Sequence, residues 1–290
     1  MTDSRKANVA LRARRSLWRV RRKLASWAAP EVGDELRATR RKLKSTRAQL
    51  RAARAELQDA RAQLADASIA LPHNVEETIT RVRAENLTYL KAANLRELAS
   101  IVLDIEREQL PGLVIEAGTA LGGSAIVLAA AKAPERAMKV YDVFGMIPAP
   151  TERDGADVHR RYEKIAGGDA RGVGGETYYG YRDDLFQEVS DSFTRLGVPP
   201  GERNVELVKG LFEDTIQLAE PVAFAHLDGD WYESTMTCLD RIAPLVVPGG
   251  RIVLDDYYAW SGCRAAVDEY FKDRDGFRLE HRAKLHVVRD

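Results

Sequence analysis

The chain is poor in cysteine, in long apolar runs and in net charge, and each shortage excludes something. Its two cysteines, Cys238 and Cys263, stand 25 positions apart, without the close pairing of a zinc site or a disulfide framework, so both read as small apolar packing residues. No stretch approaches the roughly 18–20 uninterrupted apolar residues of a membrane-spanning helix, and the N-terminus has no signal-peptide core. The expected location is the cytoplasm. The net charge is zero, from 44 basic and 44 acidic side chains, but 18 basic face seven acidic in residues 1–70 and 26 face 37 in 71–290. That asymmetry marks two parts with different partners, or one part docking on the other.

Residues 5–23 hold nine Lys or Arg interleaved with Val9, Leu11, Leu17, Trp18 and Val20, ahead of a break at Pro30 and Gly33. This basic arm, 1–30, fits a solvated tail or a segment touching anionic lipid, polysaccharide or nucleic acid. A leucine then recurs every seventh residue at Leu36, Leu43, Leu50, Leu57 and Leu64, the period of a coiled-coil seam. The intervening positions Thr39, Thr46, Ala53, Ala60 and Ala67 are small and bury little. The segment 31–71 is therefore expected to be a modestly stable helix that self-associates or packs on its own domain.

From Leu71-Pro72 the pattern changes to short apolar runs alternating with helix-length segments: Leu113–Ala117, Met138–Val143, Val205–Val208, Val222–Leu227 and Arg251–Leu254, then Phe277–Leu279 and Leu285–Val288. That is the rhythm of a doubly wound α/β sheet over 72–290, whose ligands bind beyond the carboxyl ends of the strands. The first strand runs into Glu116-Ala117-Gly118-Thr119-Ala120-Leu121-Gly122-Gly123-Ser124. Its glycines let the backbone turn tightly beside a helix start. They miss the first–third–sixth spacing of a dinucleotide fingerprint. Asp142, 24 residues beyond Gly118, is placed to bind both hydroxyls of an adenosine ribose; it equally suits a cap on the turn that follows.

The fourth strand ends in His226-Leu227-Asp228-Gly229-Asp230 and the fifth in Leu254-Asp255-Asp256-Tyr257. If neighbours, they lie about 4.8 Å apart, and Asp228, Asp255 and Asp256 converge. Massed carboxylates repel unless a cation intervenes, and an all-oxygen set suits magnesium. Asp230 is free to act as a base, or with Glu233 to form an N-cap and capping box. His226, inside an apolar strand, reads as a hydrogen-bonded core residue.

These motifs, in order, resemble the macrocin O-methyltransferase family, bacterial enzymes that methylate sugar hydroxyls. The likeness spans roughly 75–290 and rests on Glu116-Ala117-Gly118 with Gly122-Gly123, Asp142-Val143-Phe144, Lys209 to Thr215, Leu227 to Thr235, Pro248-Gly249-Gly250 and Asp255-Asp256-Tyr257. The resemblance implies a class I fold dependent on S-adenosylmethionine, with a seven-stranded sheet, and a homodimer. It implies magnesium on Asp228, Asp255 and Asp256, Asp230 as general base, and Asp142 on the ribose. It places Gly210, Leu211 and Phe212 beside the adenine. Thr88 and Tyr89, expected in the helix before the first strand, match a lid over the cofactor; Glu116, Gly118, Gly122, Gly123 and Ser124 complete the cofactor loop.

Two departures qualify the likeness. Thr119-Ala120-Leu121 replaces the family's common Val-Trp-Arg, so no indole or guanidinium contact is expected there. The stretch from Phe144 to Arg182 is long and carries Tyr178, Tyr179 and Tyr181, side chains suited either to roofing a sugar site or to packing on a neighbouring helix. The expected acceptor is a sugar or glycosylated molecule, with a catechol-type diol as the second enzymatic reading. A scaffold or nucleic-acid-binding protein with an inactive domain is the third; the acidic 71–290 part does not resemble a nucleic-acid surface.

Overall fold

A computed structural model describes residues 30–66 and 70–290; the basic arm at 5–23 lies outside them. The chain divides between Leu57 and Gln58 into two units. Most of one long helix, α1 (Pro30–Asp66), belongs to the first. Pro30 opens this helix, where its missing N–H costs nothing, and Gly33 lies within it. The expected break is therefore corrected: a lone glycine costs a helix only about 1 kcal/mol, which 37 residues absorb. Leu36, Leu43, Leu50 and Leu57 each stand about half exposed along α1, and Thr39, Thr46, Ala53 and Ala60 between them are exposed as well.

The second unit begins with α2 (His73–Ala84) and α3 (Ala92–Arg107), and continues β1 (Leu113–Ala117), α4 (Gly123–Ala131), β2 (Met138–Asp142), α5 (Ala156–Ala166), α6 (Leu185–Arg195) and β3 (Val205–Lys209). There follow α7 (Phe212–Thr215), β4 (Val222–Leu227), α8 (Tyr232–Ile242), β5 (Val246–Leu254), α9 (Ser261–Phe271), β6 (Phe277–His281) and β7 (Leu285–Arg289). The seven strands form one sheet in the order β3-β2-β1-β4-β5-β7-β6. The first five run parallel and β7 is antiparallel to both neighbours. Thr88 and Tyr89 lie in the connection between α2 and α3, not in a helix as expected, because α2 stops at Ala84.

Alternation along the strands gives each face its own core. Val114, Phe224 and Val253 pack with Val102, Ile126 and Phe193, whereas Ile115, Leu227 and Leu254 pack with Leu239, Val267 and Val287. The helices covering both faces explain why the parallel strands read as near-continuous apolar runs. Both cysteines are buried thiols, as expected. No helix of the described residues is long and apolar enough to cross a membrane.

One polar residue is buried in this sheet for structural reasons. His286 pairs with Val253 across β5 and β7, is fully buried, and meets Arg251 Nη1 at 3.0 Å through Nδ1, with Glu97 Oε1 3.4 Å from Nε2. Burial, then Arg251 and Arg282, lower its pKa from 6.5 to about 3. A depressed histidine stabilises the fold above its unfolded value, and that stability is lost as pH falls from 6.5 toward 3. Between pH 6.5 and 5 urea unfolding should show about 1–2 kcal/mol more loss in the wild type than in His286→Gln. Glu97, present in both proteins, cancels from that comparison.

Candidate active site

The site grows from strand register. β1 pairs with β4 so that Glu116 faces His226, and β4 pairs with β5 so that Leu227 faces Leu254. Past the strand ends the ladder persists: Asp228 N–H donates to Ala117 O at 2.8 Å and Asp255 N–H to Leu227 O at 2.9 Å. The two carboxylates are thereby held side by side. On the same face a buried polar row runs from β1 to β7. Ser124 Oγ donates to Glu116; His226 Nδ1 is 2.9 Å from Glu116 Oε2, and its Nε2 is 3.5 Å from Asp255 Oδ1. Lys284 Nζ closes the row 2.7 Å from Asp255 Oδ2. Burial opposes the imidazolium of His226, but Glu116 and Asp255 outweigh it and push the pKa up to about 10. His226 is a hydrogen-bonded interior residue, as its apolar strand suggested.

Asp228, Asp255 and Asp256 offer oxygens that all lie within 4.8 Å of one another. Burial and the charges of Asp256 and Asp255 raise Asp228 well above the usual carboxylate range. Burial and Asp255 raise Asp256. Asp255 is the exception: burial opposes ionisation, yet the Lys284 ammonium and His226 hold it below the ordinary value. Asp230 sits beside the trio with φ +53, its N–H donating to Asp256 Oδ2 at 3.2 Å. The capping-box alternative is not what the fold builds. Trp231 occupies the N-cap of α8 with no side-chain cap, and Asp154 Oδ1, from the long insertion, takes the Tyr232 N–H at 2.9 Å. Asp230 is left to line a cavity of about 730 Å³.

That cavity extends from the carboxylates past Gly118 and Ala120 to Asp142, Leu211 and Phe212. A match to the model of the macrocin O-methyltransferase (TylF) family covers residues 31–279. The chain belongs to the macrocin O-methyltransferase family. It is 29% identical over 194 residues to the demethyldecarbamoylnovobiocin O-methyltransferase of Streptomyces niveus, covering 63% of this chain and 67% of that one. It is 30% identical over 207 residues to the mycinamicin III 3''-O-methyltransferase of Micromonospora griseorubida, covering 67% and 73%. Among solved structures it resembles the O-methyltransferase NovP, with 27% identity, 72% of this chain and 87% of that chain covered, and a TM-score of 0.56. The protein is thus an O-methyltransferase of the class I fold, dependent on S-adenosylmethionine.

Within this methyltransferase the expected cofactor residues separate into two groups. Gly118, Asp142, Leu211, Phe212 and Tyr89 line the main cavity, and Thr88 and Ser124 line an adjoining pocket of about 220 Å³. Glu116 faces inward to Ser124 and His226. Gly122, with φ +89, caps α4, and Gly123 admits the Leu87 carbonyl, which its N–H meets at 3.0 Å. Gly210, also at positive φ, turns the chain into Leu211 and Phe212. Asp142 does cap its turn: Oδ2 accepts from Thr119 and Ala120 N–H at 2.8 and 3.0 Å, and Oδ1 from Phe144 N–H at 2.7 Å. It lines the cavity nonetheless.

The 144–182 insertion divides its tyrosines likewise. Tyr178 and Tyr179 line the cavity, with Tyr178 almost fully buried. Tyr181 is structural, its hydroxyl donating to Ile165 O at 2.5 Å. Sequence reasoning missed Asp154, Arg161, Lys284 and the Trp231–Trp260 pair, whose rings lie 5.8 Å apart. All act across 29 or more residues or from an insertion without a motif, so no local signal marks them. A Cβ at Gly118, which holds φ +87, would collide with the Asp228 carbonyl oxygen. Gly118→Ala should therefore cost about 1–3 kcal/mol of stability and lower turnover by displacing Asp228, read by thermal melting beside a methyl-transfer assay.

Proposed function

We propose that this protein transfers the methyl group of S-adenosylmethionine to a hydroxyl of a sugar or glycosylated acceptor, with magnesium on Asp228, Asp255 and Asp256 and Asp230 as general base. The observation carrying this reading is the convergence of those four carboxylates on the floor of the cavity. The donor set fits the ion. Three carboxylates from two adjacent strands present oxygens alone, and burial with the like charges raises the proton affinity of Asp228 and Asp256, a repulsion that a divalent cation relieves. Bound there, magnesium would orient acceptor hydroxyls and offset negative charge on oxygen.

The protein's own tasks are alignment and proton removal. The end of the cavity formed by Gly118, Asp142, Leu211 and Phe212 combines a carboxylate with apolar walls, which suits a ribose and a base. A second set of lining side chains, Tyr178, Tyr179, Trp231 and Trp260, suits a sugar's apolar faces and hydroxyls together. Burial, then Asp256 and Asp255, hold the Asp230 carboxyl well above its usual range, against the Arg161 charge and a hydrogen bond to Trp260. That proton affinity equips Asp230 to take the hydroxyl proton while the hydroxyl oxygen attacks the methyl carbon, the methyl–sulfur bond breaks and S-adenosylhomocysteine leaves.

Asp230→Asn should lower kcat by about 10²–10⁴ while S-adenosylhomocysteine binding, followed by calorimetry, is retained. Asp228→Ala and Asp256→Ala should abolish turnover with cofactor binding largely intact, and a chelator should stop the wild type until magnesium is returned. Normal activity in metal-free buffer with chelator overturns the metal assignment. Preference for catechols over sugars in a mixed panel would replace the acceptor class.

We further propose that α1 joins two copies of the chain. Leu36, Leu43, Leu50 and Leu57 recur at seven-residue spacing and are about half exposed, the period that two helices bury against each other. Small residues between them limit the area, so the dimer is expected to be weak. Leu43→Glu with Leu50→Glu should shift sedimentation from dimer toward monomer; an unchanged mass would refute the seam.

A further inference from the structure

The main cavity carries one charge that methyl transfer to a neutral sugar does not use. Eight carboxylates line it, and Arg161, on α5 within the long insertion, is the only cationic side chain among its described lining residues. Arg161 is partly buried with its Cζ 5.8 Å from the centre of the Tyr178 ring. Among the described residues it makes no ion pair within 4.0 Å, unlike two of the insertion's other arginines, Arg153 with Glu269 and Arg182 with Glu188. A guanidinium held beside an aromatic face, with its planar donors turned to no carboxylate, is an oxyanion-binding arrangement waiting for its second half.

The distribution of charge gives that site a direction. The floor, with Asp228, Asp230, Asp255 and Asp256, suits hydroxyl groups and puts no cationic side chain of its own into the described lining. Arg161 stands apart from it on the insertion, near enough for its field to reach both Asp230 and Tyr89. An acceptor bearing hydroxyls at one end and an oxyanion at the other can enter in one orientation only. We propose, building on the sugar-methylating reading, that the acceptor carries an anionic group, a carboxylate or a phosphate, which Arg161 binds so that the reacting hydroxyl is directed to Asp230. Arg161 is then a specificity-determining residue, and its absence removes discrimination rather than chemistry.

The test uses the full chain with magnesium and methyl-labelled S-adenosylmethionine, and matched acceptors of gluco, galacto and manno configuration. Each is supplied as the neutral methyl glycoside, the corresponding methyl glycuronide and the 6-phosphate. In the configuration that is used, kcat/KM for an anionic form should exceed that of its neutral partner by at least about tenfold, since a charge-assisted hydrogen bond contributes roughly that factor or more. Whether the glycuronide or the phosphate gains identifies the source of the oxyanion. Arg161→Met should bring the ratio close to one, and Arg161→Lys should retain part of it. The same ratio should appear in dissociation constants from saturation-transfer NMR on S-adenosylhomocysteine-loaded protein, a readout independent of turnover. Neutral sugars methylated as well as their acidic partners, or a ratio unchanged in Arg161→Met, overturn the role of Arg161 and leave the sugar reading standing. Methylation of catechols and of no sugar overturns both.

Discussion

The parallel pairing of β1, β4 and β5 is the constraint on which the rest of the site depends. Main-chain bonds continue one residue past the end of each strand, from Asp228 to Ala117 and from Asp255 to Leu227, so carboxylates 27 or more positions apart in sequence are held by backbone rather than by side-chain choice. Gly118 allows this by offering no Cβ where the Asp228 carbonyl passes. The order of the sheet reverses between β1 and β4, and the cavity opens at that switch point, where an α/β sheet leaves a crevice.

Holding four carboxylates so close has an electrostatic cost, and the protein offsets it in two ways. Lys284 and His226 meet Asp255 from the sheet side and favour its ionised form. Among the described residues Asp228, Asp256 and Asp230 make no direct ion pair, and burial with their neighbours' charge leaves them with raised proton affinities. The result is a graded cluster: an ionised Asp255 beside neighbours of raised proton affinity. Catalytic groups are commonly tuned by this combination of burial and like charge.

The insertion between β2 and α6 supplies part of the cavity lining, including Tyr178, Tyr179 and Arg161. It is fastened at the mouth of the sheet by Asp154, which takes the first N–H of α8, by the Trp231 indole on Pro148 O at 3.0 Å, and by Asp157 accepting from Ser261. Asn86 ties it to the α2–α3 connection through Glu176 at 3.1 Å. A segment fastened at both sides holds Tyr178, Tyr179 and Arg161 in the cavity lining.

Much of this was legible in the chain itself. Apolar runs separated by helix-length segments identified all seven strands, because strands covered on both faces need apolar side chains throughout. The DGD and DD motifs at strand ends located Asp228, Asp230, Asp255 and Asp256, because in this fold chemistry sits where strands stop. The heptad of α1 was equally plain, although Pro30 proved to start that helix rather than to precede it. Tertiary structure alone decided what depends on distant partners. It gave the cap of α8 to Asp154 and so freed Asp230, turned Glu116 inward to His226, and set Thr88 and Tyr89 in a connection instead of a helix. It also brought Lys284 to Asp255 and Arg161 to the roof. Periodicity and motif record what a residue owes to its near neighbours along the chain, whereas charge compensation and cavity lining are contacts between segments that only folding brings together.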